Sequence, residues 1–294
     1  MVDLQAAYAS CERLARGHYE NFPVASALLP RAMRPHIAAV YAFARVADDF
    51  ADEGERPTHE RIRLLERWRE RLQTAVRGGA APALIQGEPA EADDIFAALG
   101  ATIRDRSLPL PLFEDLLSAF EQDVRVTRYA TWQEVLDYCR RSANPIGRLV
   151  LAIAGYRDAR LDAQSDAICT ALQLTNFWQD VPLDYARGRV YLPAEELRVH
   201  RAREADLGGT RLTAECRRVL SAAVERTRVL FARGRPLCDE VRGRLRYELR
   251  ATWLGGTRIL QKLEAADFEP AAARARLRGT DLPWLLWNLA AWRR

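Results

Sequence analysis

An all-α fold, a single bundle of helices around a central cavity, is what this sequence predicts, and three observations carry that prediction. Apolar residues recur at helical spacing through most of the chain, period-two alternation of β-branched residues is almost absent, and no break is long enough to be a domain linker. With 294 residues and 49% hydrophobic content the chain can bury a large core, and one domain over residues 1–294 is the economical expectation. No internal repeat at a solenoid period divides it.

The helices are delimited in order by turn-forming residues. Met1 to Arg16 is polar with acids early, so no signal peptide is expected there. Pro30 and Pro35 precede the first strongly patterned segment, and Gly78 to Pro82, Pro109 with Pro111, and Asn144-Pro145 end or begin those that follow. Gly188 to Pro193, Gly208-Gly209 and Pro236 complete the punctuation. No apolar run approaches the roughly 18 residues needed to span a bilayer. The expectation is a cytoplasmic protein, soluble or peripheral to the inner face of the membrane.

The first patterned helix contains "YAFARVADDFAD", Tyr41 to Asp52, with carboxylates among alanines, valines and phenylalanines. At about 100° per residue, Ile37, Val40, Ala44, Ala47 and Ala51 share one stripe, and Tyr41, Arg45, Asp48 and Asp52 form another beside it. Ala42, Phe43, Val46 and Phe50 make most of the remaining circumference apolar, the pattern of a helix enclosed by others; only Asp49 and Glu53 interrupt it. An enclosed, unpaired carboxylate is too unfavourable to stay ionised, so the polar stripe must line a wet cavity or hold a cation.

A later segment, "ICTALQLTNFWQDVPLD", has the same logic. Gln173, Asn176, Asp180 and Asp184 fall on one narrow stripe, while Ile168, Leu172, Leu174, Phe177, Trp178 and Val181 cover the rest. One pair of acids at i, i+4 is usually a solvated face; two such pairs, each on a mostly apolar helix, point instead to a site. Pro182 lies between Asp180 and Asp184, where it removes a backbone donor and is expected to kink or end the helix.

If both stripes face one cavity, up to four negative charges repel one another and demand divalent cations. Oxygen ligands without His or Cys select Mg²⁺, which prefers a few carboxylates plus waters and substrate phosphates, so the implied ligand is a phosphate ester. Arg45 on the first stripe, and Arg187 and Arg189 in "YARGRVYLP", supply the basic groups such a ligand requires. No Walker loop is present, which disfavours nucleotide hydrolysis. Phe, Trp and Leu walls around Mg²⁺ suit an apolar chain carrying diphosphate.

Composition excludes other classes. The formal charge of +4, from 44 basic and 40 acidic residues interspersed along the chain, fits mild attraction to anions; no basic run interleaved with aromatics marks a nucleic-acid surface. Lys262 is the only lysine, and codon bias accounts for the arginines. Cys11, Cys139, Cys169, Cys216 and Cys238 are odd in number and lack CxxC pairing, which indicates neither a disulfide framework nor a zinc site. His36, His59 and His200 are scattered, and structural roles are expected of them.

"HYENFPVASALLP", "YAFARVADDFADEG" and "LQLTNFWQDVPLDYARGRVYLP" together resemble the head-to-head isoprenoid synthases, the squalene and phytoene synthase family, in the same order over nearly the whole chain. The resemblance implies an isoprenoid-synthase helical bundle. It implies that Asp48, Asp52, Asp180 and Asp184 bind several Mg²⁺ ions with Asn176 assisting, and that Gln173, Tyr41 and Arg45 contact the diphosphate or prenyl chain. Phe22 would line the chain tunnel, with His18, Tyr19, Asn21 and Tyr191 as further substrate-binding candidates.

The departures point to one branch. Many relatives carry small hydroxyl residues where Tyr19 and Asn21 stand, an arginine where Gln179 stands, a Gly-Thr-like pair where Asn144-Pro145 stand, and an aromatic where Gly256 stands. These variants resemble the bacterial hopanoid-pathway branch, which implies presqualene diphosphate as substrate and hydroxysqualene as product. Gln179 in place of arginine is compatible with gripping one diphosphate instead of two. The implied chemistry is ionisation followed by capture of water, without NADPH. Tyr138 and Asn144 are candidates to hold that water, or else Tyr138 packs and Asn144 caps the helix begun by Pro145. A synthase condensing two prenyl diphosphates to presqualene diphosphate, squalene or phytoene is the alternative within the family, and a non-catalytic prenyl-diphosphate binder the alternative outside it. The final "DLPWLLWNLAAWRR" reads most simply as a helix packed on the bundle; the other reading is an interfacial contact delivering a lipid product to the membrane.

Overall fold

Helix boundaries in the computed structural model, which describes residues 3–17, 28–209, 211–269 and 275–292, fall where side-chain chemistry ends a helix. In chain order the helices are α1 (Leu4–Gly17), α2 (Arg34–Asp52), α3 (Thr58–Arg77), α4 (Ala92–Arg106), α5 (Leu110–Asp123), α6 (Trp132–Ser142) and α7 (Asn144–Ile153). They are followed by α8 (Ala159–Ala186), α9 (Ala194–Val199), α10 (Ala214–Gly234), α11 (Leu237–Glu240), α12 (Gly243–Ala265) and α13 (Leu282–Ala290). Pro35 occupies the first turn of α2, where a missing N–H is harmless. Gly78 closes α3 in the left-handed region at φ 70°, and the Thr131 and Thr213 hydroxyls cap α6 and α10 by accepting from the backbone N–H of Glu134 and Cys216. The fold is all-α: among the described residues the nearest thing to a sheet is an isolated parallel bridge between Arg128 and Val190.

Pro182 does not end α8, which runs on to Ala186. A proline deletes one donor, and here the chain beyond it recovers its bonds: Arg187 N donates to the Leu183 carbonyl at 3.1 Å and Arg189 N to that of Asp184 at 2.8 Å. Asp180 and Asp184 therefore lie one turn apart on one helix.

The contacts divide the chain into two compact units, one of Met1–Arg125 with Pro145–Asp158, the other of Val126–Asn144 with Ala159–Arg294. At the centre of the first, α2 packs against α1, α3, α4 and α5, which is why so much of its circumference is apolar. Phe43, fully buried, meets Trp68, Phe96 and Phe113, with the Phe113 ring edge-on at 5.5 Å. Trp68 spends its indole N–H on the Phe43 carbonyl at 3.1 Å. Arg71, buried, is offset by Glu88 at 2.7 Å and Asp93 at 2.8 Å. Burial works against the Glu88 charge, but the Arg71 guanidinium and the Ile85 backbone N–H together hold its carboxyl below the usual range.

In the second unit α8 takes the central place, against α6, α10, α11 and α12. Its approach to α10 depends on Gly234: a Cβ there would lie 2.4 Å from Ile168 Cγ1 and 2.8 Å from the Gln164 carbonyl. Gly256 of α12 likewise leaves room for Phe231 and Leu172, whose atoms a Cβ would meet at 2.5 and 2.8 Å. The Trp178 indole N–H donates to the Thr227 hydroxyl at 2.9 Å inside this packing.

Candidate active site

The C-terminal end of α2 carries Asp48, Asp49 and Asp52, with Glu53 just beyond, and no basic residue in its last turn. A helix C-terminus already bears about half a negative charge, so acids placed there are electrostatically unfavourable. Two arginines restrain the end. Arg61, from α3, donates to the carbonyls of Ala51 at 2.7 Å, Phe50 at 3.1 Å and Gly54 at 2.6 Å, satisfying acceptors the helix leaves open. Arg45 lies on the acid side: its guanidinium is 2.6 Å from Asp49, 2.6 Å from Glu53 and 3.6 Å from Asp48.

Burial opposes the Arg45 charge, but Asp49, Asp48 and Glu53 more than offset it, so the guanidinium is held even more firmly protonated than usual. Tyr41, on the same stripe, has its phenol pushed up chiefly by burial, against the pull of Arg45. Around this stripe Ile37, Val40, Ala47 and Ala51 are buried, whereas Ala44 is partly open and borders the polar face. Tyr41, Arg45 and Asp48 are half-buried and Asp52 is exposed, so the acid pair sits at the accessible end of an otherwise enclosed helix.

The end of α8 is built the same way. Gln173, Asn176 and Asp184 are half-buried and Asp180 is buried, again with no basic residue in the last turn. Ile168, Leu174, Phe177, Trp178 and Val181 are buried on its other faces, and Leu172 is partly open. The chain leaving α8 is pinned beside residues 127–130: Val190 N donates to the Thr127 carbonyl at 2.9 Å, Ala194 N to that of Tyr129 at 2.9 Å, and the Arg128 guanidinium to that of Gly188. That pinning stacks Tyr191 on Phe177, ring centroids 3.7 Å apart and nearly parallel, and brings Tyr129 and Tyr138 within about 6 Å of the stack. Phe177, Val181, Asp184, Arg189, Tyr191 and Leu207 line a small recess, which places a carboxylate and a guanidinium beside an aromatic wall.

Each remaining sequence candidate among the described residues has a definite place. Tyr138, buried, belongs to the aromatic cluster. Asn144, also buried, accepts from the Thr170 hydroxyl at 2.9 Å through its side-chain oxygen, which fixes the amide. Gln179 donates to the Ala275 carbonyl at 2.6 Å, which ties it to the C-terminal segment. Arg187 is exposed at the end of α8. His18, Tyr19, Asn21 and Phe22 lie outside the described residues. Asp49 and Glu53 as partners of Arg45, Arg61 as the cap of α2, Tyr129 and Thr170 are contributors that the motif pattern did not single out. Only Asp49 had a signal, its i, i+4 spacing from Arg45.

Among the described residues no group of three or more His, Cys, Asp or Glu side chains is gathered to hold a metal ion; each helix end by itself offers a pair of acids. The donors at both ends are carboxylate and amide oxygens with no sulfur or imidazole, a set that fits a hard cation such as Mg²⁺. No helix of the described chain is long and apolar enough to cross a membrane.

A family model described as squalene/phytoene synthase matches residues 15–283. The hydroxysqualene synthase of Zymomonas mobilis is 36% identical over 223 residues, covering 74% of this chain and 70% of that protein. That of Rhodopseudomonas palustris is 34% identical, covering 88% and 84%. Among solved structures, squalene synthase HpnC from Alicyclobacillus acidocaldarius superposes with a TM-score of 0.82 at 39% identity, over 91% of this chain and 96% of that one.

Proposed function

The chain belongs to the squalene/phytoene synthase family, the prenyl-diphosphate-processing synthases, and on that premise we propose that it converts presqualene diphosphate and water to hydroxysqualene and diphosphate. One observation carries the reading: two enclosed helices, α2 and α8, each end in an acid pair set against the helix dipole with no basic residue in the last turn. Such ends are unfavourable in isolation and favourable beside cations. Asp48 and Asp52 on α2, and Asp180 and Asp184 with Asn176 on α8, are the residues that would hold Mg²⁺. When bound, the ions neutralise a diphosphate and favour its departure.

The chain's own side chains account for the rest. Arg45 and Tyr41 offer hydrogen-bond donors to diphosphate oxygens, with Arg45 exchanging Asp49 or Glu53 for the ligand. Arg187, Arg189 and Gln173 add donors at the other helix, and His18, Tyr19, Asn21 and Phe22 are proposed as further substrate contacts. When the carbon–oxygen bond breaks, its electron pair leaves with the diphosphate and a cyclopropylcarbinyl cation remains. Tyr138, Phe177 and Tyr191 present aromatic faces that stabilise a cation and exclude stray water while it rearranges. One water then forms the new carbon–oxygen bond and loses a proton, which yields an alcohol without a reductant. Asn144, its oxygen engaged by Thr170, would hold that water through its amide nitrogen.

Gln179 is assigned to the C-terminal segment and only indirectly to substrate. A single catalytic domain over 1–294, acting in the cytoplasm with peripheral membrane contact, completes the proposal. Purified protein with Mg²⁺ tests it, incubated separately with presqualene diphosphate and farnesyl diphosphate, each with and without NADPH. Hydroxysqualene from presqualene diphosphate alone is expected. Condensation of farnesyl diphosphate as the sole activity would assign the chain to the two-substrate branch, and tight binding without turnover would make it a carrier.

A further inference from the structure

Helix α13 presents its apolar side outward. Its exposed positions, Leu282, Pro283, Leu286, Trp287 and Ala290, fall at i, i+1, i+4, i+5 and i+8, one continuous face without a charged side chain. A helix resting on a protein surface normally shows water the opposite face. Leu282, Leu286 and Trp287 are 53, 56 and 73% exposed, and Leu277, at 44%, extends the patch just ahead of the helix.

This face is rigidly held. Asp281, buried at the N-terminal end of α13, accepts from Lys262, from Arg258 at 3.0 Å and from the Arg278 backbone N–H at 2.9 Å, donors that keep its carboxyl far below the usual range. Arg258 also lies over the Trp284 ring at 5.0 Å. At the other end Trp292 donates to Asp239 at 3.0 Å, with Arg235 at 4.6 Å and Arg250 at 5.1 Å from its ring. Exposed arginines adjoin the patch: Arg276 and Arg278 stand on either side of Leu277, just ahead of the helix.

We propose that α13 is an interfacial anchor that seats Leu282, Leu286 and Trp287 in the acyl boundary of an anionic lipid bilayer while the adjoining arginines engage its headgroups. An apolar face on a fixed helix with basic neighbours is the arrangement that binds in the plane of a membrane surface. A second copy of the chain would bring like-charged arginines together beside the same patch, which disfavours self-association as its purpose. The anchor deepens the membrane contact proposed above by naming its surface and lipid class, and it does not depend on which reaction the enzyme performs.

Co-sedimentation with vesicles of phosphatidylcholine containing phosphatidylglycerol, compared with phosphatidylcholine alone, tests it on the full chain. The wild type is expected to partition several-fold better to the anionic vesicles, and added salt is expected to weaken binding. L286Q/W287Q should lose at least tenfold in partitioning, and R276Q/R278Q should lose the anionic preference. All of these residues are exposed, so each variant should keep the wild-type Tm and, in detergent with dispersed substrate, the wild-type turnover. Equal partitioning of wild type and L286Q/W287Q, or a concentration-dependent dimer in sedimentation velocity that the variant abolishes while vesicle binding is absent, would overturn the anchor. Loss of vesicle binding with unchanged turnover separates this surface from the catalytic reading.

Discussion

Replacing Asp52 with Asn is expected to stabilise the metal-free protein while removing its activity. Asp52 is the last residue of α2, exposed, in a last turn that carries no basic residue of its own. Deleting a charge that opposes the dipole contributes about 0.3–1 kcal/mol. Relieving repulsion from Asp48 one turn earlier contributes about 0.2–0.5 kcal/mol more. The sum, about 0.5–1.5 kcal/mol, corresponds to a rise in Tm of roughly 1–6 °C for a chain of this size at low ionic strength. Turnover should fall by roughly a hundredfold or more, because metal assistance is worth several kcal/mol and each 1.36 kcal/mol is about tenfold. Calorimetry with and without Mg²⁺ supplies the second readout: Mg²⁺ should raise the wild-type Tm and raise that of the variant much less. A variant that is less stable than wild type without metal, or that turns over normally at subsaturating Mg²⁺, would refute the assignment of this helix end to a cation.

Three further outcomes follow from the packing and the titrating groups. Gly234→Ala should destabilise the protein by about 1–3 kcal/mol in urea denaturation, since the new methyl meets the Gln164 carbonyl and the Ile168 backbone as well as a side chain, and α10 must move away from α8. His36, whose imidazole lies 3.0 Å from the Arg106 guanidinium and 3.0 Å from the Thr102 hydroxyl, with Tyr8 and Asp105 adjacent, is held neutral by burial and then by Arg106, against Asp105. Its folded pKa lies below the ordinary value of 6.5, so the unfolded chain takes up the proton first, stability is full above about pH 6.5, and it declines as pH falls from there; His36→Gln should flatten that slope in denaturation measured between about pH 7 and 5. Asn144→Ala should change the product mixture more than it slows consumption of presqualene diphosphate, and Thr170→Val should leave the products unchanged; identical effects of the two substitutions would reduce Asn144 to its tie with Thr170.

The acid stripes were legible because a helix repeats every 3.6 residues, so that Tyr41, Arg45, Asp48 and Asp52, or Gln173, Asn176, Asp180 and Asp184, must share a face whatever surrounds them. Their setting at helix C-termini followed only when the boundaries were known. Pro182 left a kink or an end open, and local backbone rules could not choose between them, because they see the lost donor and miss the bonds beyond it, such as Arg189 N to Asp184, that let α8 continue. Contacts between distant segments leave no periodic trace: Arg61 capping α2, Glu53 closing on Arg45, and residues 127–130 pinning Val190 so that Tyr191 stacks on Phe177. Gln179 illustrates the limit of a motif. Its type suggested a diphosphate site, while its amide holds the Ala275 carbonyl. The outward apolar face of α13 was legible as composition, but its orientation rests on Asp281 and Trp292, whose partners lie in other elements.

The terminating step is tested most directly by turnover of presqualene diphosphate in ¹⁸O-labelled water with Mg²⁺ and no NADPH, followed by mass analysis of the products. Hydroxysqualene carrying one ¹⁸O atom, formed with release of diphosphate, is the expected result. Unlabelled alcohol, or no turnover until NADPH is added and squalene appears, would contradict capture of water as the final step.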